Sequence, residues 1–378
     1  MNRTSMFGQA GLFPADATVD GSRQRRPGVA RHREMEVRHH GTFIADHEPG
    51  VAITCHQVVP ARRMVVAGLA NGSVAVWRRK PDAPSGPGRV ETKPQMLRGH
   101  SGLVYGVHVA DEPGIGGVGG YLLFSWSADR TVRVWDPESA SPDQACAQTL
   151  RAHGGTITGL VMAGGFLVTS STDKTLRVWR PQEGRELMLY PWFNLDKTIH
   201  DSDCWINALA LNPAAEGGAL YVGDEQGTLS AYRVTMPHGS GLHLTKWRRH
   251  PNAHVLGITH LVVFPARHSL ATSSYDYTVK VWDTLHGGAL LSIENGHKVR
   301  YTAVCWDETH AELLLGDELG HIYFWDVPSE RCLRMERLAG PGAIPREGAA
   351  KVTAALASAA KAKAAEPARG GTGGGAGE

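Results

Sequence analysis

The sequence predicts an all-β fold in which a small antiparallel sheet is repeated along the chain. Its 378 residues exceed what one hydrophobic core usually serves, so the core should be divided among several units. The 45 Gly and 21 Pro are typical of many short strands joined by turns, and ten of the few aromatic residues are Trp. Because 42% of the residues are hydrophobic and Gly does not recur at every third position, a wholly disordered chain and a collagen are excluded.

The repeated unit is a short strand that ends in an aromatic residue and returns every 43 to 58 residues. Side chains alternate along each copy as they do in a strand, and a β-rich run precedes it across a tight turn containing Asp, Asn or Gly. Each repeat is therefore predicted to form a small antiparallel sheet. The six copies are residues 71–77, 129–135, 173–179, 226–232, 276–282 and 319–325.

Three copies share a spaced set of polar residues upstream of the Trp. The sets are His100, Ser127, Asp129 and Trp135; His153, Ser171, Asp173 and Trp179; and His254, Ser274, Asp276 and Trp282. A Trp-Asp pair also ends the second, fifth and sixth copies. This pattern, which covers roughly residues 42–338, resembles the WD40 repeat family. The resemblance implies that each set forms a buried, hydrogen-bonded relay.

The chemistry of such a relay follows from its residue types. A carboxylate in a tight turn needs donors, which imidazole N–H and Ser O–H groups supply, while the indole N–H needs an acceptor. Removing one member should cost about 1 to 3 kcal/mol. Three copies depart from the pattern, because Asn71 replaces the Asp of the first, and Asp224 and Asp317 lie two residues earlier in the fourth and sixth. These copies are expected to be held by packing alone.

Four-stranded sheets cannot bury both faces alone, so the repeats are predicted to stack radially as a β-propeller. Six blades are recognisable, and either six- or seven-bladed closure fits, seven being the commonest closure in the family that the repeats resemble. A seventh blade would have to come from the region of Glu36 to Phe43, from a degenerate copy or from another chain.

The chain is divided into three predicted parts. Residues 1–34 form a disordered basic arm, residues 35–338 the propeller, and residues 339–378 a flexible Ala/Gly-rich tail that is partly helical. The five Cys are widely spaced and include no C-x-x-C pair, which indicates a reducing compartment. No secretion signal and no long apolar segment is present, so we expect a soluble cytoplasmic protein without membrane contact.

The polar residues of the repeats argue against catalysis, because a relay needs His, Ser and Asp once per blade, whereas a catalytic triad occurs once per protein. Neither G-x-S-x-G nor H-E-x-x-H occurs. The Gly-rich stretch 114–119 has no helix after it to hold a pyrophosphate. The His groups at 32–47 and 250–260 lack zinc-type spacing. No catalytic residue, cofactor or metal is therefore assigned.

Protein binding is the function that the propeller architecture favours, since loops on a rigid scaffold are where recognition is usually built. Aromatic and Arg residues near loops are the candidate anchors, although each ring has the alternative of packing on its neighbours. The candidates are Tyr105, Tyr275, Tyr277, Arg300 and Tyr301, with Trp192 and Phe193 in a predicted protruding loop within the long interruption from Glu183 to Trp205.

Nucleic acid is disfavoured as a partner, because the propeller segment carries slightly more acidic than basic residues and the Arg-rich arm lacks interleaved aromatic residues. The sequence thus predicts a non-enzymatic scaffold or structural subunit of a larger intracellular assembly, with a lean to a cytoskeletal or ciliary (axonemal) setting. The alternatives are a subunit of an RNA- or nucleic-acid-associated complex and a substrate adaptor of a ubiquitin ligase. The adaptor is the less supported, because no Arg stands two residues after a Trp-Asp pair.

Overall fold

A computed structural model describes residues 50–78, 94–110, 120–138, 145–182, 192–200, 202–213, 218–237 and 241–337. The chain divides into a unit of residues 1–336, which holds the sheets, and a unit of residues 337–378, of which only Arg337 is described. The predicted basic arm, the segment from Glu36 to Phe43 and the predicted tail lie outside the described residues.

The described residues form six four-stranded sheets, which we call blades I to VI. Blades I to III contain β1 (Ile53–Val59), β2 (Met64–Leu69), β3 (Val74–Arg78), β4 (Gln95–Leu97); β5 (Val104–Ala110), β6 (Leu122–Ser127), β7 (Thr131–Trp135), β8 (Cys146–Arg151); β9 (Ile157–Ala163), β10 (Phe166–Ser171), β11 (Leu176–Gln182) and β12 (Trp192–Ile199). Blades IV to VI contain β13 (Ile206–Asn212), β14 (Ala219–Asp224), β15 (Leu229–Thr235), β16 (His243–His250); β17 (Ile258–Phe264), β18 (Ser269–Ser274), β19 (Thr278–Asp283), β20 (Ala289–Glu294); β21 (Tyr301–Asp307), β22 (Glu312–Asp317), β23 (His321–Asp326) and β24 (Arg331–Arg337).

The strands of each blade lie side by side in sequence order, from an inner first strand to an outer fourth strand, and pair antiparallel. The predicted all-β fold and β-propeller architecture are thereby confirmed, with six blades among the described residues. The repeated aromatic strand is the third strand of each blade, as at β7 and β19.

Blades pack face to face through alternating apolar side chains. At the junction of blades II and III, Phe124 and Val134 meet Leu160 and Trp179 in one buried cluster. Comparable clusters join I to II, III to IV, IV to V and V to VI. In β7, β11 and β19 the Val residues occupy a buried face, while Arg133, Arg177 and Lys280 on the other face are half-buried.

One glycine is required by this packing. Gly106 lies on β5, opposite Trp126 in the register of β6. A Cβ at position 106 would lie 1.9 Å from Cζ2 of the Trp126 ring, which is itself buried. The indole therefore occupies the space that any side chain at 106 would need.

The turn between the second and third strands has the same backbone in every blade. Its fourth residue always adopts a left-handed conformation, and blades I, IV and VI place Gly there. The other three blades place Arg130, Lys174 and Tyr277 at this position, with φ of 68°, 69° and 67°. These turns all lie at one end of the propeller, together with the loops that enter the inner strands. We call this end the turn face.

Candidate protein-binding surface

Each of blades II, III and V contains a continuous relay behind its turn. In blade II a distance of 2.9 Å separates His100 Nδ1 from Asp129 Oδ2, and 2.7 Å separates His100 Nε2 from Ser125 Oγ. The indole N–H of Trp135 donates to the same Ser125 Oγ at 2.8 Å. A carboxylate only accepts, so Nδ1 carries the imidazole proton and Nε2 accepts from the Ser hydroxyl. The relay thus fixes turn, loop and third strand relative to one another.

The same arrangement recurs with Thr in place of Ser. In blade III, His153 bonds Asp173 at 2.9 Å and Thr169 at 2.7 Å, and Trp179 donates to Thr169 at 3.0 Å. The corresponding residues of blade V are His254, Asp276, Thr272 and Trp282, with distances of 3.1, 2.7 and 2.9 Å.

The hydroxyl group of each relay belongs to a different residue from the one that the sequence predicted. Ser127, Ser171 and Ser274 contact neither the relay His nor the Trp. Instead, Ser127 Oγ accepts from the N–H of Asp129 at 3.1 Å and donates to the carbonyl of Gly102 at 3.0 Å, which shapes the turn. The true member lies two residues earlier, because side chains two apart share a face of the strand and only the earlier one reaches the indole. Its signal is a hydroxyl residue ten positions before the Trp.

Blades IV and VI are not held by packing alone, so that expectation is wrong. Asp224 accepts from the N–H groups of Gln226 and Thr228 at 2.9 and 2.8 Å. Asp317 accepts from the hydroxyl of Tyr323 at 2.9 Å and from Nδ1 of His321 at 3.1 Å. An Asp shifted by two residues therefore still organises its turn.

Burial and hydrogen bonding set the charge state of the relays. Burial lowers the pKa of His100 and His153 below the usual 6.5, so both imidazoles are neutral. Burial alone would raise the pKa of Asp173, but hydrogen bonds from His153 and Thr175 outweigh it and hold the pKa below its usual value. The relays of blades II and III are thus neutral imidazoles bonded to carboxylates.

We expect the free energy of unfolding to fall as the pH drops from 7.5 to 5.5. The folded pKa of His100 and His153 is lowered, so the unfolded chain binds protons that the folded chain does not, and stability is lost below pH 6.5. At pH 5.5 each of these two histidines should lower the free energy of unfolding by up to about 1.4 kcal/mol. Urea titrations across this range measure the effect. His153→Gln should reduce the pH-dependent loss by the contribution of one histidine. A wild-type stability that does not change with pH would contradict the neutral state of His100 and His153.

The turn face carries exposed apolar residues in blades IV to VI. Val255 and Leu256 follow the relay residue His254 and are 84% and 48% exposed. At the two positions after the relay His, blade II has Ser101 and Gly102, and blade III has two Gly. Further exposed side chains on these turns and loops are Trp205, Tyr277 and Leu319. Sequence reasoning missed Trp205, Val255, Leu256 and Leu319, although comparing the residues after each relay His reveals Val255 and Leu256.

Two of the predicted anchors, Arg300 and Tyr275, contact each other on this face. The Arg300 guanidinium lies 5.6 Å from the centre of the Tyr275 ring and also pairs with Glu318. Burial raises the pKa of Tyr275, the charge of Glu225 and the hydroxyl of Tyr105 raise it further, and the charge of Arg300 opposes them. Tyr105 of blade II therefore influences the Tyr275 hydroxyl of blade V electrostatically. Tyr105 and Tyr277 are both exposed.

The other predicted anchors have different positions. Tyr301 is 3% exposed and packs edge-on against Tyr323. Phe193 is 1% exposed and packs edge-on against Phe124 of blade II. Both rings fill the spaces between strands, so they are packing residues rather than surface anchors. Trp192 is exposed, but it begins the outer strand β12 rather than lying in a protruding loop.

Within the described ranges, no group of three or more His, Cys, Asp or Glu side chains is placed to hold a metal ion. The part of the chain that the structure describes also contains no helix with the length and apolar character needed to cross a lipid bilayer.

Comparison with known proteins agrees with the repeats. Residues 91–136, 144–180 and 244–283 match the model of the WD domain, G-beta repeat. The chain is 33% identical over 107 residues to zinc finger CCCH domain-containing protein 59 of Arabidopsis thaliana, covering 28% of this chain and 19% of that protein. It is 34% identical over 87 residues to zinc finger CCCH domain-containing protein 62 of the same plant, covering 23% and 18%.

The chain therefore spans about a fifth of the length of these two relatives. The three matched repeats contain the relays of blades II, III and V, and all three lie within a propeller of six described blades. The chain thus contains WD40 repeats, and its described residues form a β-propeller.

Proposed function

We propose that this protein is a non-enzymatic scaffold subunit that binds another protein through the turn face of blades IV to VI. The observation that carries the proposal is the exposure of Val255 and Leu256 where the same loop of blades II and III has only Ser and Gly. Exposed apolar side chains that cluster with aromatic residues and Arg are typical of the centre of a protein interface.

The rigidity of the turn face suits this role. The relay of blade V binds the turn through Asp276, and the N–H of Tyr275 donates to the carbonyl of Gly257 at 3.1 Å. The loop with Val255 and Leu256 is therefore fixed to the turn beside it. A preformed surface loses little conformational freedom on binding, which favours affinity.

Tyr277 supports the same conclusion. A bulky residue with φ of 67° is uncommon and strained, and three other blades place Gly at this position. An aromatic ring is thus exposed on the turn face at a position where the fold does not require one, which supports a binding role.

The test is to give blade V the loop of blade II by the double change Val255→Ser and Leu256→Gly, with Tyr277→Gly as a second variant. Each tagged chain is purified from its native lysate and the co-purifying proteins are quantified by mass spectrometry. We expect a defined partner set to fall at least about tenfold with both variants, by loss of interface anchors. The melting temperature should be unchanged, or higher for Tyr277→Gly.

Leu290→Ser is the matched control, because Leu290 is an exposed apolar residue of the outer strand β20 rather than of the turn face. It should retain the partner set. Partners that persist with both turn-face variants, or that depend equally on Leu290, would refute this surface.

The cytoskeletal or axonemal setting stays a prediction, and the identified partners would test it. The same purification distinguishes the nucleic-acid alternative, because binding through Arg contacts to phosphates should weaken by orders of magnitude between about 50 and 200 mM salt. Partners held by apolar anchors should withstand this change.

A further inference from the structure

One position of the third strand differs in blade IV. The residue before its final aromatic side chain is Val76, Val134, Val178 and Val281 in blades I, II, III and V, and Phe324 in blade VI, but Ala231 in blade IV. This side chain points to the following blade, as Val134 does in its cluster with blade III. Two methyl groups that other junctions contain are therefore missing between blades IV and V.

A recess lies at this place, on the outer circumference of the propeller. The recess is shallow, with a cavity volume of about 20 Å³. Its floor is apolar and consists of Ala231 and Leu229 of β15 with Leu270 and Trp282 of blade V. Trp282 is more exposed than Trp135 or Trp179, its counterparts in blades II and III. The smaller side chain thus opens a junction that is filled elsewhere.

The rim of the recess is basic and aromatic. Arg248 of the outer strand β16 lines it, donates to the carbonyl of Leu285 at 3.2 Å and lies 4.3 Å from the centre of the exposed Trp247 ring. Arg233 stands two residues from Ala231 on the same face of β15 and is exposed. Neither Arg forms an ion pair with a described residue. The one carboxylate of the lining, Asp283, is bonded to His286 at 2.6 Å.

We propose that this recess binds a short extended segment of a partner protein in which a branched aliphatic residue stands next to Asp or Glu. The aliphatic side chain replaces the two missing methyl groups over Leu229, Leu270 and Trp282. The neighbouring carboxylate pairs with Arg248, and charge-assisted hydrogen bonds to a guanidinium are strong and directional. Ligand sites are typically apolar with a few convergent polar groups, and this recess combines these features on the scale of one small side chain.

This surface is separate from the turn face, so the inference goes beyond the proposed function and does not depend on it. A chain with the turn-face changes Val255→Ser and Leu256→Gly should bind such a segment as the wild type does. Failure of one surface is therefore distinguishable from failure of the other.

The key variant is Ala231→Val, which restores the residue that four other blades have. The variant fills the recess with the Val side chain that blades I, II, III and V have at this position. The melting temperature should therefore equal or exceed that of the wild type. A second variant, Arg248→Gln, removes the charge at the rim and leaves the floor intact. Leu290→Ser again serves as the control outside the recess.

The probe is a phage-displayed library of random 12-residue peptides, depleted on Ala231→Val and then selected on the full wild-type chain. We expect the selected peptides to share an aliphatic residue beside Asp or Glu. By calorimetry they should bind the wild type at least tenfold more tightly than either Ala231→Val or Arg248→Gln, and equally to Leu290→Ser. The inference is overturned if no peptide distinguishes wild type from Ala231→Val, or if the distinguishing peptides lack the acidic residue.

Discussion

Gly106→Ala should lower the free energy of unfolding by about 3 kcal/mol, which is a large effect for one added methyl group. The new Cβ would lie 1.9 Å from Cζ2 and 2.2 Å from Cε2 of Trp126, so the indole would have to move. Trp126 is 2% exposed and belongs to the cluster that joins blades II and III, which leaves it no free space. Urea denaturation at pH 7.5, followed by Trp fluorescence, measures the change.

Gly154→Ala is the matched control. The nearest atom to a Cβ at position 154 is 3.8 Å away, which is ordinary van der Waals contact. This exposed loop glycine should therefore tolerate the methyl group with a change within about 0.5 kcal/mol. If Gly106→Ala were as mild as Gly154→Ala, the close packing of β5 against Trp126 would be refuted.

The second large effect is expected from Thr169→Val and from Thr272→Val, each of which should cost about 2 kcal/mol. Valine keeps the shape of threonine but removes the hydroxyl that bonds both the relay imidazole and the indole N–H. In blade III these partners are His153 at 2.7 Å and Trp179 at 3.0 Å. Both would be left buried without this hydrogen bond. Denaturant titration of each variant measures the loss.

Two comparisons make this prediction specific. Thr198→Val in the partly exposed outer strand β12 should change stability little. Ser171→Ala should cost less than Thr169→Val, because Ser171 Oγ contributes to the turn through the N–H of Asp173 and not to the relay. If Ser171→Ala lowered stability more than Thr169→Val, the relay hydroxyl would be that of Ser171, as the sequence pattern predicted.

Much of this fold is readable from the sequence, and the relays show where such reading stops. Spacing alone identified His100, Asp129 and Trp135, because a periodic pattern of rare residues is visible without coordinates. It chose Ser127 over Ser125, since a single sequence does not show which of two hydroxyls on one strand face lies beneath the indole. That choice depends on the register of β6 against β7, in which Leu123 pairs with Trp135.

The candidate surfaces were only partly predictable for a similar reason. Tyr275 and Tyr277 stand beside a relay Asp, so alternation predicted their surface location. Phe193 and Tyr301 were misjudged because each ring packs against a residue of another strand, Phe124 of blade II and Tyr323 of blade VI, and such contacts are not visible in the local sequence pattern. The significance of Ala231 appears only after six strands are aligned by register, because alanine in a strand is otherwise unremarkable.

The sequence order of the strands has a consequence for the way the chain is made. Every described sheet is a meander whose strands pair with their immediate successors, so little loop-closure entropy opposes the formation of any one sheet. A nascent chain can complete one blade before the next leaves the ribosome, because no described strand waits for a partner from a distant part of the sequence. Each finished blade still presents a bare apolar face until its successor arrives. Synthesis from the N-terminus supplies that successor next.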